Sequence, residues 1–284
     1  DVFARVREAR PAQLFLCMDG PRPGRADDSA RCAEVRQILA GVDWPCEVRR
    51  NYAEENLGCR RRMGSGISWV FEQVEEAILL EDDCVPHPDF FRFSAELLDR
   101  YRHDTRIGMI AGHIEHFKPI NKAESYYFDR FPTIIGWATW RRAWQCFDAE
   151  LREWPRLRET SFLRTLFPTE RAARHVASFF EGVYAGRANS WATVWWFSML
   201  RNNLLCVHPS VNLITNVGVY GVHNRGPSEW HGVPSAGIAF PLSHPCDVIP
   251  DADEERRMRD VYAPPGRVRC ALSQVKGLLL NKGR

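Results

Sequence analysis

The strongest constraint on the fold is an alternation, over the first 110 residues, of short apolar runs with stretches of helical length. Gln13 to Met18, Cys46 to Arg50, Ala77 to Leu80 and Ile107 to Ile110 read as strands. Val2 to Ala9, Ser29 to Leu39, Arg60 to Glu76 and Phe90 to Tyr101 carry helical spacing,. In the second of these, Ser29 is the expected cap, and Val35, Ile38 and Leu39 share one face,. Strands alternating with helices predict βαβ units, hence an α/β domain with a mostly parallel central sheet flanked by helices. Ligands of such sheets sit beyond the carboxyl ends of the strands. Asp19 and the run Glu81-Asp82-Asp83 both fall at such ends.

The acidic run follows its apolar strand without a spacer. Three adjacent carboxylates repel one another unless a cation or several hydrogen-bond donors neutralise them. A hard divalent ion, Mn²⁺ or Mg²⁺, takes oxygen ligands and keeps room for substrate phosphates. The competing reading is an acidic cap on the helix after Pro86. A cap needs one acid rather than three, so the metal reading leads. Metal and phosphate are as far as the run itself goes, since phosphate-ester hydrolases and nucleotidyltransferases also place paired acids at strand ends.

The remaining candidates each have two readings. Asp19, in Cys17-Met18-Asp19-Gly20-Pro21-Arg22, either accepts a hydrogen bond from a nucleotide or opens a turn,. Arg60-Arg61-Arg62 opens a helix whose free amides and charge suit a diphosphate, with Arg61 the chosen donor-binding residue, or forms a solvated basic face,. Seven of the ten tryptophans lie between Trp137 and Trp196. Indoles fill cores well, but they also pack on sugar rings, and Trp137 and Trp191 are the two expected to stack on a sugar. His223, in the turn-rich stretch Gly218 to Gly226, is either incidental or completes a metal shell with Asp83.

Several stretches, in order, resemble a bacterial family of nucleotide-diphospho-sugar transferases, distantly similar to the N-acetylglucosaminyltransferases that act on N-glycans. The matching pieces are Asp19-Gly20-Pro21-Arg22, Asn56-Leu57-Gly58-Cys59, Ile78 to Cys84, Gly136 to Trp144 and Asn212 to Gly218, within residues 1 to 225. The resemblance implies a GT-A type fold and transfer of a sugar from a UDP- or similar nucleotide-sugar to an acceptor hydroxyl. The product would belong to a surface polysaccharide or lipid-linked glycan. It implies Asp83 as metal ligand, Glu81 and Asp82 near the donor sugar and ribose, Asp19 at the nucleotide base, and His223 at the diphosphate or metal. It also implies a first strand before Asp1 and a chain that starts inside its fold.

One departure matters. Similar sequences carry an Asp after the tryptophan matching Trp191, where a general base is expected; here that position is Ala192. A methyl group accepts no proton, so the base is unassigned, with Glu181 and Asp148 as replacements and a non-catalytic nucleotide-sugar or glycan-binding protein as the alternative.

Composition sets the outer limits. With 45% hydrophobic and 26% charged residues the chain can fill a sizeable core,. Lys+Arg 38 against Asp+Glu 36, with no aromatic-interleaved basic stripe, argues against nucleic acid,. Nine scattered cysteines without a CxxC pair fit reduced thiols and a cytoplasmic protein,. The expected organisation is one domain over residues 1–250, its first half (1–115) binding the nucleotide-sugar and its second (116–250) facing the acceptor. Residues 251–284 form a charged, basic tail that could rest on the inner face of a membrane or end as a solvated helix.

Overall fold

A computed structural model of the chain describes residues 1–114, 122–218 and 232–263. His223 and most of the basic tail therefore lie outside the described residues. Along the chain the elements are α1 (Val2–Ala9), β1 (Gln13–Met18), α2 (Ala26–Ala40), β2 (Glu47–Tyr52), α3 (Cys59–Phe71), β3 (Glu76–Leu79), β4 (Cys84–Pro86), α4 (Pro88–Arg100) and β5 (Ile107–Ala111). Then come β6 (Tyr126–Asp129), β7 (Trp137–Trp140), α5 (Arg141–Trp144), α6 (Trp154–Leu157), a 3₁₀ turn at Phe162–Thr165, α7 (Glu170–Tyr184), α8 (Trp191–Arg201), β8 (Leu205–Pro209), β9 (Ile214–Asn216) and α9 (Ala252–Tyr262).

The α/β class holds, but the central sheet is mixed rather than mostly parallel. Its five strands run β3-β7-β5-β8-β6. Only β5 and β8 are parallel; β3–β7, β5–β7 and β6–β8 are antiparallel. Two separate two-stranded ladders accompany it: β1–β2, parallel, and β4–β9, antiparallel. The parallel expectation fails because β7, an all-buried Trp-Ala-Thr-Trp run, inserts antiparallel between β3 and β5. The two expected halves of the domain also interleave strand by strand, so both build one sheet.

Residue alternation decides what each face of that sheet buries. One face packs Ile110, Phe128 and Val207 against Phe90, Phe93 and Leu97 of α4. The other packs Met109, Ala111, Trp137 and Cys206 against α3, α5 and the Trp191 and Trp195 indoles of α8. A second cluster of Trp154, Phe167, Phe180 and Phe197 joins α6, α7 and α8. Helix α8 serves both clusters with different faces, which explains its nearly uninterrupted apolar sequence,. By contrast α2 starts at Ala26, three residues ahead of the expected Ser29 cap, where the Arg22 side chain grips Asp28 at 2.6 and 2.8 Å. Its expected apolar face is uncovered, with Ile38 57% exposed.

Candidate functional site

The acids of Glu81-Asp82-Asp83 occupy the turn between β3 and β4. Glu81 C=O accepts from the Cys84 amide at 3.1 Å, which closes the turn. Helix α4 is capped by His87, whose Nδ1 accepts from the Asp89 amide at 3.2 Å, so none of the three acids serves as its cap. Asp82 is exposed, and Glu81 and Asp83 are half-buried. Among the described residues no lysine, arginine or histidine forms an ion pair with any of them. Burial, then the charges of Asp83 and Asp82, push the Glu81 carboxyl up to about 7.

Asp83 is held by the far end of the chain. Its carbonyl accepts from the Val217 amide at 2.9 Å, extending the β4–β9 ladder. The Cys84 thiol donates to its Oδ1 at 3.2 Å. A Cβ on Gly218 would collide with the Asp83 carboxylate, so the backbone after β9 passes directly over this acid. The segment carrying His223 begins just beyond that point, outside the described residues.

Asp19, at the end of β1, has a different role from the expected nucleotide contact. Oδ1 accepts from the amides of Gly20 at 2.9 Å and Leu57 at 2.8 Å. Oδ2 accepts from the Gly58 amide and Asn56 Nδ2, both at 3.0 Å. A carboxylate offers about four lone-pair sites, and all four are taken. Asp19 is thus a positioning residue that locks the Asn56-Leu57-Gly58 loop to β1. The sequence singles out Asn56-Leu57-Gly58-Cys59 as a loop but gives Asn56 no role at the site; Gly58 there takes φ +77°,.

That loop delivers the first turn of α3, which has no side-chain cap. Burial, then the charges of Glu81 and Asp19, push the thiol of Cys59, at the first position of α3, up to about 11. The strand end, the helix start and the acidic turn therefore converge. Of the three arginines, Arg60 binds the carbonyls of Val183 and Ala149, and Arg62 is buried against Asn51. Arg61 is exposed and has no ion-pair partner among the described residues. The start of α8 reaches the same place: Asn189 Oδ1 accepts from the Arg60 amide at 3.3 Å, three residues before Ala192.

Trp137 and Trp191 are not sugar platforms in this structure. They are 1% and 2% exposed and stack on each other, with centroids 5.8 Å apart. Trp137 faces inward because it belongs to a buried central strand, and Trp191 covers it from α8. The replacement bases fare no better. Glu181 accepts from Trp154 Nε1 at 2.9 Å and Arg158 at 3.0 Å, and these hold its carboxyl below the usual range. Asp148 accepts from the Arg152 amide at 2.7 Å.

A second polar group lies beneath the sheet, unforeseen from sequence. Asp129, Cys206 and His208 are fully buried, with ligating atoms all within 4.8 Å of one another. The only sequence signal is Cys206 and His208 at strand spacing in Cys206-Val207-His208. No described helix is long and apolar enough to cross a membrane, and the cysteines among the described residues are all free. No protein-family model matches this chain, and no curated protein matches it.

Proposed function

We propose that the chain binds a nucleotide-sugar with a divalent cation at the acidic turn and transfers the sugar to an acceptor hydroxyl, on a GT-A type framework. One observation carries the reading: three carboxylates share a half-buried turn with no cationic ion-pair partner among the described residues, beside the start of α3 and the exposed Arg61. Such a turn fits a hard ion, which would neutralise the adjacent carboxylates. When bound, Mn²⁺ or Mg²⁺ would offset the charge of a departing diphosphate. Asp83 is the best-placed ligand, since both its backbone and its carboxylate are fixed by β9 and Cys84. Glu81 and Asp82 flank it for the donor's hydroxyls. Arg61 and the α3 amides face the phosphates. Asp19 acts through the loop it holds.

The test is release of nucleoside diphosphate from UDP-sugars with Mn²⁺ present or chelated, in the wild type and in Asp83→Ala. Loss of at least a hundredfold in both the chelated sample and the variant is expected. Undiminished turnover in either would remove the metal role, and release of phosphate or pyrophosphate instead would indicate a hydrolase or nucleotidyltransferase.

A second reading, binding without transfer, draws on Ala192 and on the engagement of Glu181 and Asp148 elsewhere. Calorimetric binding of UDP-sugar without transfer to any acceptor is its signature.

A further inference from the structure

Two adjacent strands, β6 and β8, bring Asp129, Cys206 and His208 into one sealed cluster. Cys206 and His208 are two apart on β8 and so share a face. Asp129 of β6 lies directly across from Cys206 in the ladder. His113 follows β5, which runs parallel to β8, and its charge and that of His208 act on each other. All four side chains are at most 1% exposed.

The hydrogen bonds within the pocket leave a particular gap. His208 Nε2 is 3.0 Å from the Phe131 carbonyl and 3.1 Å from Asp129 Oδ1. A carbonyl only accepts, so Nε2 carries a proton. Burial opposes the charge, but Asp129 and Cys206 raise the imidazole pKa well above its usual value, so Nδ1 offers a lone pair only where a metal replaces its proton. Nδ1 and Asp129 Oδ2 are both buried without a hydrogen-bond partner. Tyr127 stacks on the imidazole at 5.3 Å and 19°, which fixes the ring plane. A buried cluster that holds a thiol, an imidazole nitrogen and a carboxylate oxygen, the last two without a hydrogen-bond partner among the described residues, has the donor set of a metal site.

We propose that Cys206, His208 and Asp129 supply three ligands of a structural Zn²⁺ site. Thiolate, imidazole and carboxylate in a closed pocket are the donors zinc takes in tetrahedral sites. The Nε2–H bond to the Phe131 carbonyl supplies the outer support that ligating histidines characteristically have, and it selects Nδ1 as the ligand. On binding, Cys206 loses its thiol proton and His208 its Nδ1 proton to solvent, and the sulfur–zinc and nitrogen–zinc bonds form with no change of oxidation state. The site is separate from the acidic turn, whose three acids offer oxygens.

Elemental analysis of the full chain, produced with zinc in the medium and without chelator, tests the idea. About one Zn²⁺ per chain is expected, with an X-ray absorption edge showing one sulfur at about 2.3 Å and nitrogen or oxygen at about 2.0 Å. Protein produced with Co²⁺ should show a thiolate-to-cobalt charge-transfer band. Asp83→Ala should keep both signatures, whereas Cys206→Ser should lose the band and most of the metal. Wild-type protein with substoichiometric zinc, or with zinc bound by oxygen alone and lost in Asp83→Ala, overturns the proposal. The wild-type measurements decide the matter even if Cys206→Ser does not fold.

Discussion

The acidic turn and the pocket under the sheet both collect polar atoms that the protein leaves without partners, yet they differ in access to water. At the turn, Asp82 is exposed and Glu81 and Asp83 are half-buried, so water can serve them in the free protein. Under the sheet, Asp129 and His208 are shut off from solvent, and each unpartnered atom there costs about 1–3 kcal/mol. The contrast teaches that absent partners mean different things at different depths. At a rim they reserve room for a ligand that comes and goes; in a core they imply something permanent, or a standing cost.

Removing acids from each place should separate the two. Asp129→Ala deletes one member of a buried group and leaves His208 stranded, so a loss of about 3–5 kcal/mol is expected in urea unfolding. A loss below about 1 kcal/mol would erase the distinction between core and rim. Asp19→Ala comes next. It frees four donors of the Asn56 loop, and a stability loss of about 1–3 kcal/mol is expected. UDP-sugar affinity should weaken with it, because the loop positions α3; an unchanged affinity by calorimetry would detach that loop from the donor.

The pH dependence of the turn is a smaller effect with a definite sign. The Glu81 carboxyl, raised from 4.5 to about 7, is held protonated by the fold. Its stabilising contribution is complete below about 4.5 and disappears as pH rises through about 7. Metal-free protein should therefore melt lower at pH 8 than at pH 5, Glu81→Gln should flatten that slope, and Mn²⁺ should oppose it. Equal slopes in the wild type and Glu81→Gln would assign the effect to another group. The smallest effect belongs to Asp82→Ala. Taking one charge from an exposed like-charged trio should leave the metal-free melting temperature unchanged or slightly raised, and a clear drop in calorimetry would show that Asp82 holds a structural bond.

Much of the first 111 residues was legible, because strand and helix periodicities there are short, clean and separated by turns. Gln13–Met18 and Val2–Ala9 match their expected spans, and β3, α4 and β5 differ only at their ends. The sheet's direction was not legible. Trp137 to Trp140 reads as an aromatic motif, and nothing in it announces a strand wedged antiparallel between β3 and β5. The same run shows why composition misleads about sites: tryptophan content cannot distinguish a ligand platform from two indoles stacked in a core. The acidic turn could be read because its residues are adjacent. The Asp129 pocket could not, since its members come from two strands far apart in sequence and meet only after the sheet closes. Asp19 was legible as a strand-end acid but not as the anchor of the Asn56 loop, because a carboxylate's four acceptor sites look the same in sequence whether backbone or ligand fills them.

The bond from the Val217 amide to the Asp83 carbonyl has a consequence for how this molecule can be divided. Every acid of the turn is encoded in the first third of the chain, as are Asp19 and Arg61. Yet the position of Asp83 is set by β9, and β3 is bordered by β7, both of which lie much later. A piece ending near residue 115 would contain all the acids and still hold no site. On the proposed function, donor recognition would be a property of chain closure rather than of a portable motif, so transplanting the acidic turn alone into another protein should carry none of it across.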